Sequence, residues 1–226
     1  MKEKYNLIIP CAGSGQRFQS HIPKQFVKIN NKTILEYTLK QFEFSPVGQC
    51  VLAVAKEYLK DVESYVKEIK FPIKVVEGGK TRAHSVKNAL DACLDYPFTL
   101  IHDAVRPYVG QDVINKVLSK LTYSKGVIPA VSVVDTIKEV KNNKVIKTLD
   151  RNLLASVQTP QGFHTALLKE VYMHDDIDNF TDDASLLEAH SYEVVIVKGD
   201  SLNKKITEKS DSDYFKFYLD FVQKNN

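Results

Sequence analysis

A glycine-rich turn followed by two cations carries the strongest chemical signal in the sequence. The segment IIPCAGSGQRFQSHIPKQF covers residues 8–26, and its small residues directly follow an apolar run. Such a turn lets backbone N–H groups approach and bind phosphate oxygens. Arg17 adds a planar guanidinium and Lys24 a mobile ammonium. The segment predicts a polyphosphate-binding loop, with an ordinary strand-to-helix turn as the alternative.

The known phosphate-loop fingerprints do not fit this segment. Position 18 is Phe rather than Gly or Ala, which breaks the dinucleotide-binding pattern, and no Gly-Lys-Ser/Thr triplet closes a Walker loop. The missing third glycine therefore disfavours an NAD-dependent oxidoreductase.

Asp103 is a second candidate, in the segment IHDAVRP at residues 101–107. A carboxylate at the end of an apolar strand in a doubly wound sheet can hold Mg²⁺ against substrate phosphates. The alternative is a structural ion pair between Asp103 and Arg106.

Polar candidates also follow other strands and a hairpin. In EGGKTRAHSV, residues 77–86, the two glycines could wrap a flat base and Ser85 could bind its edge, although a plain turn has the same features. Thr181 with its two following aspartates is also typical of a helix cap, and Lys205 of a solvated lysine. Further polar residues after the hairpin are Asp150, Arg151, Thr159, Pro160 and Gln161.

Apolar runs of strand length alternate with helical patterns along the chain. The runs are 7–11, 50–55, 73–76, 98–102, 127–134 and 194–197, with helical spacing at 58–69 and 86–94. The alternation predicts one α/β domain over residues 1–226, with a mostly parallel sheet whose ligands lie at the carboxyl ends of its strands. A closing helix is predicted from the apolar spacing of Tyr214, Phe215, Tyr218, Phe221 and Val222.

Residues 132–151 depart from this pattern, because apolar and polar positions alternate on both sides of Asn142-Asn143. That spacing predicts a two-stranded β-arm. An isolated hairpin is marginal in water, so we expect the arm to lean on a second subunit.

Composition excludes several classes of protein. Lysine and arginine number 31 against 28 aspartate and glutamate residues, and this near balance, a net charge of +3, does not indicate a nucleic-acid or membrane surface. No apolar stretch is long enough to cross a bilayer. The three cysteines are odd in number and widely spaced, which predicts neither a disulfide framework nor a zinc site. We therefore expect a soluble, unprocessed protein of the reducing cytoplasm.

Eight motifs, taken in order, are more specific than any one of them. They are PCAGSGQRF, PKQF, GGKTRAHSV, HDAVRP, DTIK, DRNLLASVQTPQGF, TDDAS and GDSLNKKIT. Together they resemble the 2-C-methyl-D-erythritol 4-phosphate cytidylyltransferases of the non-mevalonate isoprenoid pathway, from about residue 6 to 208. The resemblance implies a Rossmann-like domain, a homodimer with crossed arms, and Mg²⁺-dependent transfer of CMP from CTP to a polyol phosphate.

The resemblance also implies roles for individual residues. Arg17, Lys24 and Lys205 would act on the phosphates, and Asp103 would hold the metal. The polyol phosphate would meet Thr136, Arg151, Thr159 and Thr181, the arm residues coming from the neighbouring subunit. The nucleotide would contact Ala12, Gly13, Gly15, Gly79, Ser85, Ala104 and Arg106. Two positions depart from the family pattern: Lys80 stands where an acidic residue is frequent, and Cys11 where alanine is usual.

Two interpretations remain beside this one and the NAD-dependent oxidoreductase that the glycine pattern disfavours. Ribitol-5-phosphate cytidylyltransferases have similar loops, but they usually carry a longer segment before the Thr-Asp pair than the one between Gln161 and Thr181 here. A non-catalytic nucleotide-binding protein could have the same fold. The presence of all four charged candidates, Arg17, Lys24, Asp103 and Lys205, argues against it.

The family reaction needs no general base, because a phosphate monoester is largely dianionic at neutral pH. His84, His102 and His164 are accordingly predicted to pack or to form hydrogen bonds.

Overall fold

A computed structural model describes residues 3–13, 18, 22–174 and 177–224. Helices and strands alternate along the chain as the apolar spacing predicts. The strands are β1 Tyr5–Cys11, β2 Lys28–Ile29, β3 Lys32–Thr33, β4 Val47–Val54, β5 Ile73–Glu77, β6 Phe98–Ile101, β7 Gly126–Ser132, β8 Lys138–Lys141, β9 Lys144–Thr148, β10 Ala155–Val157, β11 Gln161–His164 and β12 Val194–Lys198. The α-helices are α1 Ile34–Lys40, α2 Leu59–Tyr65, α3 Arg82–Asp91, α4 Gln111–Leu121, α5 Thr165–His174, α6 Asp183–Ala189 and α7 Lys209–Lys224. Short 3-10 helices lie at Lys24–Phe26, Lys56–Tyr58, Arg151–Leu153 and Ile177–Asn179.

Within the described residues, eight strands form one sheet. Seven of them lie in the order β10-β7-β11-β6-β1-β4-β5, and the eighth, β12, also pairs with β7. The pairings β1 with β4, β1 with β6, β4 with β5, and β7 with β12 are parallel. Strand β11 is antiparallel to both of its neighbours, β6 and β7, and β10 is antiparallel to β7. The prediction of a mostly parallel α/β sheet is confirmed, while β10 and β11 are additions to it.

The central strands are buried on both faces, which explains their unbroken apolar runs. Along β1, Leu7 and Ile9 belong to one core cluster, whereas Ile8 between them belongs to another. Successive side chains of a strand point to opposite faces, so the clusters lie on the two sides of the sheet. Helix α4 packs into the first cluster and α3 into the second. Helices therefore cover both faces, as a doubly wound sheet requires.

Strands β8 and β9 form a separate antiparallel pair, and the predicted β-arm is confirmed. Asn142 and Asn143 both have positive φ, 50° and 59°, as the tight turn between paired strands demands. Every residue of the two strands is exposed.

The closing helix α7 is confirmed, but its predicted apolar stripe is only partly a core feature. Phe215 is 1% exposed and packs edge-on against Tyr37 and Tyr108. Tyr214 and Phe221 are 52% and 58% exposed. The helix spacing places these rings on one broad stripe, and the body of the domain covers only part of it.

Candidate functional site

Two cavities of about 560 and about 530 Å³ lie where the sheet topology leads us to expect ligands. Their walls include residues that follow β1, β5 and β6 closely, together with Lys205 from the loop after β12. Arg82, Asp103 and Lys205 line both cavities. These three side chains therefore form the junction between two potential ligand sites.

The first cavity collects most of the residues predicted to contact a nucleotide. Its lining includes the predicted residues Ala12, Gly13, Lys24, Gly79, Ser85, Ala104 and Lys205. Gly15 and Arg17, also predicted here, lie outside the described residues.

Buried Gln25 holds the glycine-rich loop beside this cavity. Its amide nitrogen donates to the carbonyl oxygens of Cys11 at 2.7 Å and of Gly13 at 3.1 Å. Gln25 lies in the PKQF motif but had no predicted role. Residues 11–13 are thus fixed by the segment that also carries Lys24.

The loops after β1 and β5 contact each other at the wall of this cavity. A Cβ atom at Gly78 would lie 2.3 Å from Cβ of Ala12, so only glycine allows this approach. The Ser85 hydroxyl accepts a hydrogen bond from Gly79 N–H at 3.0 Å and donates one to the Thr81 carbonyl at 2.9 Å. Ser85 therefore shapes the loop that lines the cavity.

Asp103 is the electrostatic centre of the site. Its carboxylate lies 3.5 Å from Arg82 Nε, 3.2 Å from Arg106 Nε and 3.0 Å from Lys205 Nζ. Burial alone would raise the pKa of Asp103, but these three cations hold it well below its usual range. The carboxylate therefore stays ionised while it is 7% exposed.

Arg82 is the main functional residue that the sequence analysis missed. Its guanidinium joins Asp103 to the fully buried carboxylate of Asp183, with Nη2 at 2.7 Å from Oδ2. Tyr172 donates a hydrogen bond to the other Asp183 oxygen at 2.6 Å. Arg82 stands inside the motif GGKTRAHSV, so its position was a signal, but spacing alone did not distinguish it from a surface arginine.

The loop after β12 is hydrogen-bonded to three other segments of the site. Lys24 Nζ donates to the carbonyl of Ile206 at 2.9 Å, and Arg106 Nη1 donates to that of Asn203 at 2.8 Å. The Asn203 amide donates to the carbonyl of Thr159 at 2.8 Å. Lys205 is thus carried by a loop bound to the segments that hold Lys24, Arg106 and Thr159.

The second cavity contains part of the predicted polyol-phosphate set. Thr159 and Thr181 line it, and so does Arg106, which was predicted to contact the nucleotide and does not line the first cavity. Thr136 and Arg151 do not line either cavity; both are exposed, and Arg151 Nη1 donates to the Val134 carbonyl at 2.7 Å. Their predicted contribution to a neighbouring subunit stays a prediction.

The segment after Thr181 is both a helix cap and a wall of this cavity. Asp182 caps α6, since its side chain accepts from Ser185 N–H at 3.0 Å. Gln161 binds the same cap through a 2.7 Å hydrogen bond to Asp182. The structural and functional interpretations of this segment are therefore compatible.

The two departures from the family pattern occupy different environments. Lys80 lies on the rim of the first cavity, where it pairs with Asp178 at 2.9 Å and its side chain is 67% exposed. Cys11 is buried in the core, and burial raises the pKa of its thiol. Neither side chain displaces a charged group from the Asp103 cluster.

Two kinds of feature are absent from the described part of the chain. None of its helices is both long and apolar enough for a membrane crossing. Across residues 3–13, 18, 22–174 and 177–224, no cluster of three His, Cys, Asp or Glu side chains could hold a metal ion by itself.

Known proteins match this chain over nearly its whole length. The sequence model of the 2-C-methyl-D-erythritol 4-phosphate cytidylyltransferase family matches residues 5–220. Proteins of that name from Actinobacillus pleuropneumoniae and Haemophilus ducreyi are 37% and 38% identical, each over 97% of both chains. The crystal structure of 4-diphosphocytidyl-2C-methyl-D-erythritol synthase from Anaerococcus prevotii superposes with a TM-score of 0.84 and 27% identity, covering 97% of both chains.

Proposed function

We propose roles for the residues of both cavities, starting from the fact that this chain belongs to the 2-C-methyl-D-erythritol 4-phosphate cytidylyltransferase family. It transfers CMP from CTP to 2-C-methyl-D-erythritol 4-phosphate and releases pyrophosphate. The observation that carries the assignment of roles is the junction of Arg82, Asp103 and Lys205, shared by two cavities. A junction of this kind suits a reaction between two bound phosphates.

CTP binds in the first cavity in this proposal. Backbone groups of Ala12 and Gly13 receive phosphate oxygens, while Gly79 and Ser85 lie beside the cytosine. Ala104 flanks the nucleotide, and Arg106 lies beside Asp103 on the wall of the second cavity. Gly15 and Arg17, which lie outside the described residues, keep the contacts predicted for them from the sequence. The small residues of the wall and the contact of Gly78 with Ala12 support this placement.

The reaction is an in-line substitution at the α-phosphorus. A phosphate oxygen of the polyol forms the new bond to that phosphorus, and the bond to the β-phosphate oxygen breaks as pyrophosphate leaves. The two reactants are anions, so Arg17, Lys24 and Lys205 act by neutralising and orienting them. Lys24 and Lys205 both line the first cavity, and Lys24 Nζ donates to the carbonyl of Ile206, the residue that follows Lys205.

No proton has to leave the attacking phosphate at neutral pH. The histidine contacts agree with this. His84 Nδ1 lies 2.8 Å from the Thr81 hydroxyl, and His164 Nε2 lies 3.0 Å from the Leu121 carbonyl. His102 is fully buried. The three rings are accordingly assigned to packing and hydrogen bonding.

Asp103 holds Mg²⁺ in this proposal. Mg²⁺ in nucleotide sites commonly uses one or two carboxylates together with substrate phosphates and water, so a single ionised carboxylate between two phosphate sites fits it. When bound, the ion neutralises phosphate charge in the transition state. Lys205 Nζ lies 3.0 Å from Asp103, and in this proposal it turns from the carboxylate to the phosphates.

A homodimer completes the second cavity. Thr159 and Thr181 lie on its wall, and the partner subunit's Thr136 and the partner's Arg151 complete it from the crossed arm. The support is the exposed apolar surface of β8 and β9, where Val140, Val145 and Ile146 are each more than half exposed. Burying one such side chain stabilises an interface by about 1.5–3 kcal/mol.

The protein acts in a reducing cytoplasm in this proposal, which its three free cysteines support.

Pyrophosphate release measured with CTP and Mg²⁺ tests the function. Methylerythritol phosphate and ribitol 5-phosphate are offered in parallel, and we expect release only with the first. Release with ribitol phosphate alone would assign the other cytidylyltransferase activity. CTP binding without turnover of either substrate would favour the non-catalytic alternative.

A further inference from the structure

The turn from Asp103 to Arg106 is tied at both ends by one buried imidazole and one hydroxyl. His102 is 0% exposed; its Nδ1 lies 2.9 Å from Thr159 Oγ1, and its Nε2 lies 3.1 Å from the backbone carbonyl of Arg106. The backbone N–H of Asp103 donates to the same Thr159 oxygen at 3.1 Å. The turn itself is closed by a 3.2 Å hydrogen bond from Arg106 N–H to the Asp103 carbonyl.

The fixed groups at the two ends determine the direction of every proton between them. The Arg106 carbonyl only accepts, so Nε2 of His102 carries a proton. The Asp103 N–H only donates, so the Thr159 oxygen accepts there. In a neutral ring the remaining nitrogen, Nδ1, is an acceptor, and the Thr159 hydroxyl must donate to it.

The surroundings of the ring favour this neutral form. The ring is fully buried and packs edge-on against Phe42, with 5.1 Å between ring centroids, and its two nitrogens face uncharged groups, the Thr159 hydroxyl and the Arg106 carbonyl. An imidazolium would instead place a second donor on the Thr159 oxygen and release the hydroxyl proton toward the cavity.

We infer that His102 and Thr159 are positioning residues that fix both ends of the Asp103–Arg106 turn, with the Thr159 hydroxyl proton directed at the ring and away from the second cavity. Thr159 lines that cavity, yet its hydroxyl does not donate to the polyol phosphate. Through the backbone N–H of Asp103 and the His102 ring, it fixes the turn that carries the Asp103 carboxylate and the Arg106 guanidinium. The kinetic consequences of this inference rest on the proposed function, whereas the arrangement of protons does not.

NMR of the wild-type protein with ¹⁵N-labelled histidine tests the proton arrangement directly. Long-range ¹H–¹⁵N correlations separate the two neutral tautomers and the imidazolium of each ring. With His102 assigned through bonds, we expect the Nε2–H tautomer at neutral pH. An Nδ1–H tautomer or an imidazolium at that pH would overturn the inference, whatever the catalytic activity of the preparation.

Paired substitutions of Thr159 test the kinetic consequence. Thr159→Val removes the hydroxyl with little change of shape, and Thr159→Ser keeps it. Loss of an outer partner of a metal ligand typically lowers metal affinity or activity by about 10- to 100-fold. We expect Thr159→Val to lower kcat and to raise the Mg²⁺ requirement by factors in that range, with the KM for the polyol phosphate unchanged, and Thr159→Ser to recover most of the loss.

The opposite kinetic pattern would identify Thr159 as a direct ligand. A raised KM for the polyol phosphate in Thr159→Val, with kcat and Mg²⁺ requirement unchanged, would overturn the inference. Two variants divide the role of the ring: His102→Asn keeps an acceptor near Nδ1, and His102→Gln keeps a donor near Nε2. We expect each to retain more activity than His102→Phe, which keeps neither. Absence of transfer in the wild-type enzyme would count against the proposed function, while the NMR result would stand.

Discussion

The cluster around Asp103 is buried and its charges are paired within one chain, whereas the arm of β8 and β9 is exposed along both strands. In the cluster, three cations surround one carboxylate that is 7% exposed. In the arm, Val140 faces Val145 across the pair, and both side chains are more than half exposed. The comparison separates a site preorganised by its own chain from a segment whose apolar surface suits a second chain.

The largest expected effect belongs to the cationic side of the first cavity. Lys24→Ala removes an ammonium that the proposed mechanism places on the phosphates, and we expect kcat to fall by about 10²- to 10³-fold with the fold intact. Pyrophosphate release and circular dichroism check the two parts. Lys116→Ala on α4, which removes an exposed lysine paired with Asp112, is the matched control and is expected to behave as wild type. Near-wild-type turnover by folded Lys24→Ala protein would remove Lys24 from the mechanism.

The buried ring beside Asp103 should make stability depend on pH. The unfolded chain protonates this histidine as the pH falls through about 6.5, while the folded ring stays neutral to about 4. The unfolded state therefore binds more protons, and the free energy of unfolding should fall by about 3 kcal/mol across that interval. Urea unfolding at pH 7, 6, 5 and 4 measures it.

His102→Gln is the control for that measurement, because it removes the titrating ring and leaves the other histidines. Its free energy of unfolding should fall less steeply below pH 6.5 than that of the wild type. Parallel curves for the two proteins would show that the ring does not set the pH dependence.

Hybrid dimers test the other side of the comparison. Arg151→Ala and Lys24→Ala proteins are each expected to be impaired, but a mixed dimer would contain one intact site if the arms cross. After subunit exchange in equal amounts, we expect about a quarter of wild-type activity. The control is a mixture of either variant with the Lys24→Ala/Arg151→Ala double variant. Verified heterodimers without recovery would contradict the crossed arms.

The smallest effect is expected at the rim. The side chain of Lys80 is 67% exposed in its pair with Asp178, and ion pairs of this kind contribute little in water. Lys80→Glu should therefore change the KM for CTP by less than about fivefold, with kcat unchanged. Initial rates at several salt concentrations check this, because an electrostatic effect on CTP weakens as salt increases. A much larger change in the KM for CTP would show that the rim at Lys80, as well as the Asp103 cluster, determines how CTP binds.

The parallel part of the fold could be predicted because its strands are apolar at consecutive positions and its helices have regular spacing. The arm could be predicted because Asn142-Asn143 interrupts an alternating pattern. Strand β11 could not, because its four residues, Gln161–His164, are too few to establish a period and their partners β6 and β7 are distant in sequence. The stripe on α7 was only partly right, since spacing does not show how much of a helix surface the domain covers.

The residues of the candidate site likewise divide into those that could be predicted from the sequence and those that could not. Residues in local motifs, such as Gly13, Lys24 and Asp103, were found because strand ends and glycine turns mark themselves in sequence. Arg82 was missed because its partner Asp183 lies far along the chain and becomes recognisable only after both are buried together. The inward direction of the Thr159 hydroxyl also required coordinates, because its partners His102 and Asp103 reach it only through the pairing of β11 with β6.

The late position of β11 in the chain has a consequence for protein synthesis. Asp103 leaves the ribosome before Thr159 and Lys205, the hydroxyl and the ammonium that bind it from other segments. A nascent or truncated chain ending before residue 159 carries the carboxylate without either of them. The ability to transfer a nucleotide therefore requires that translation has passed residue 205.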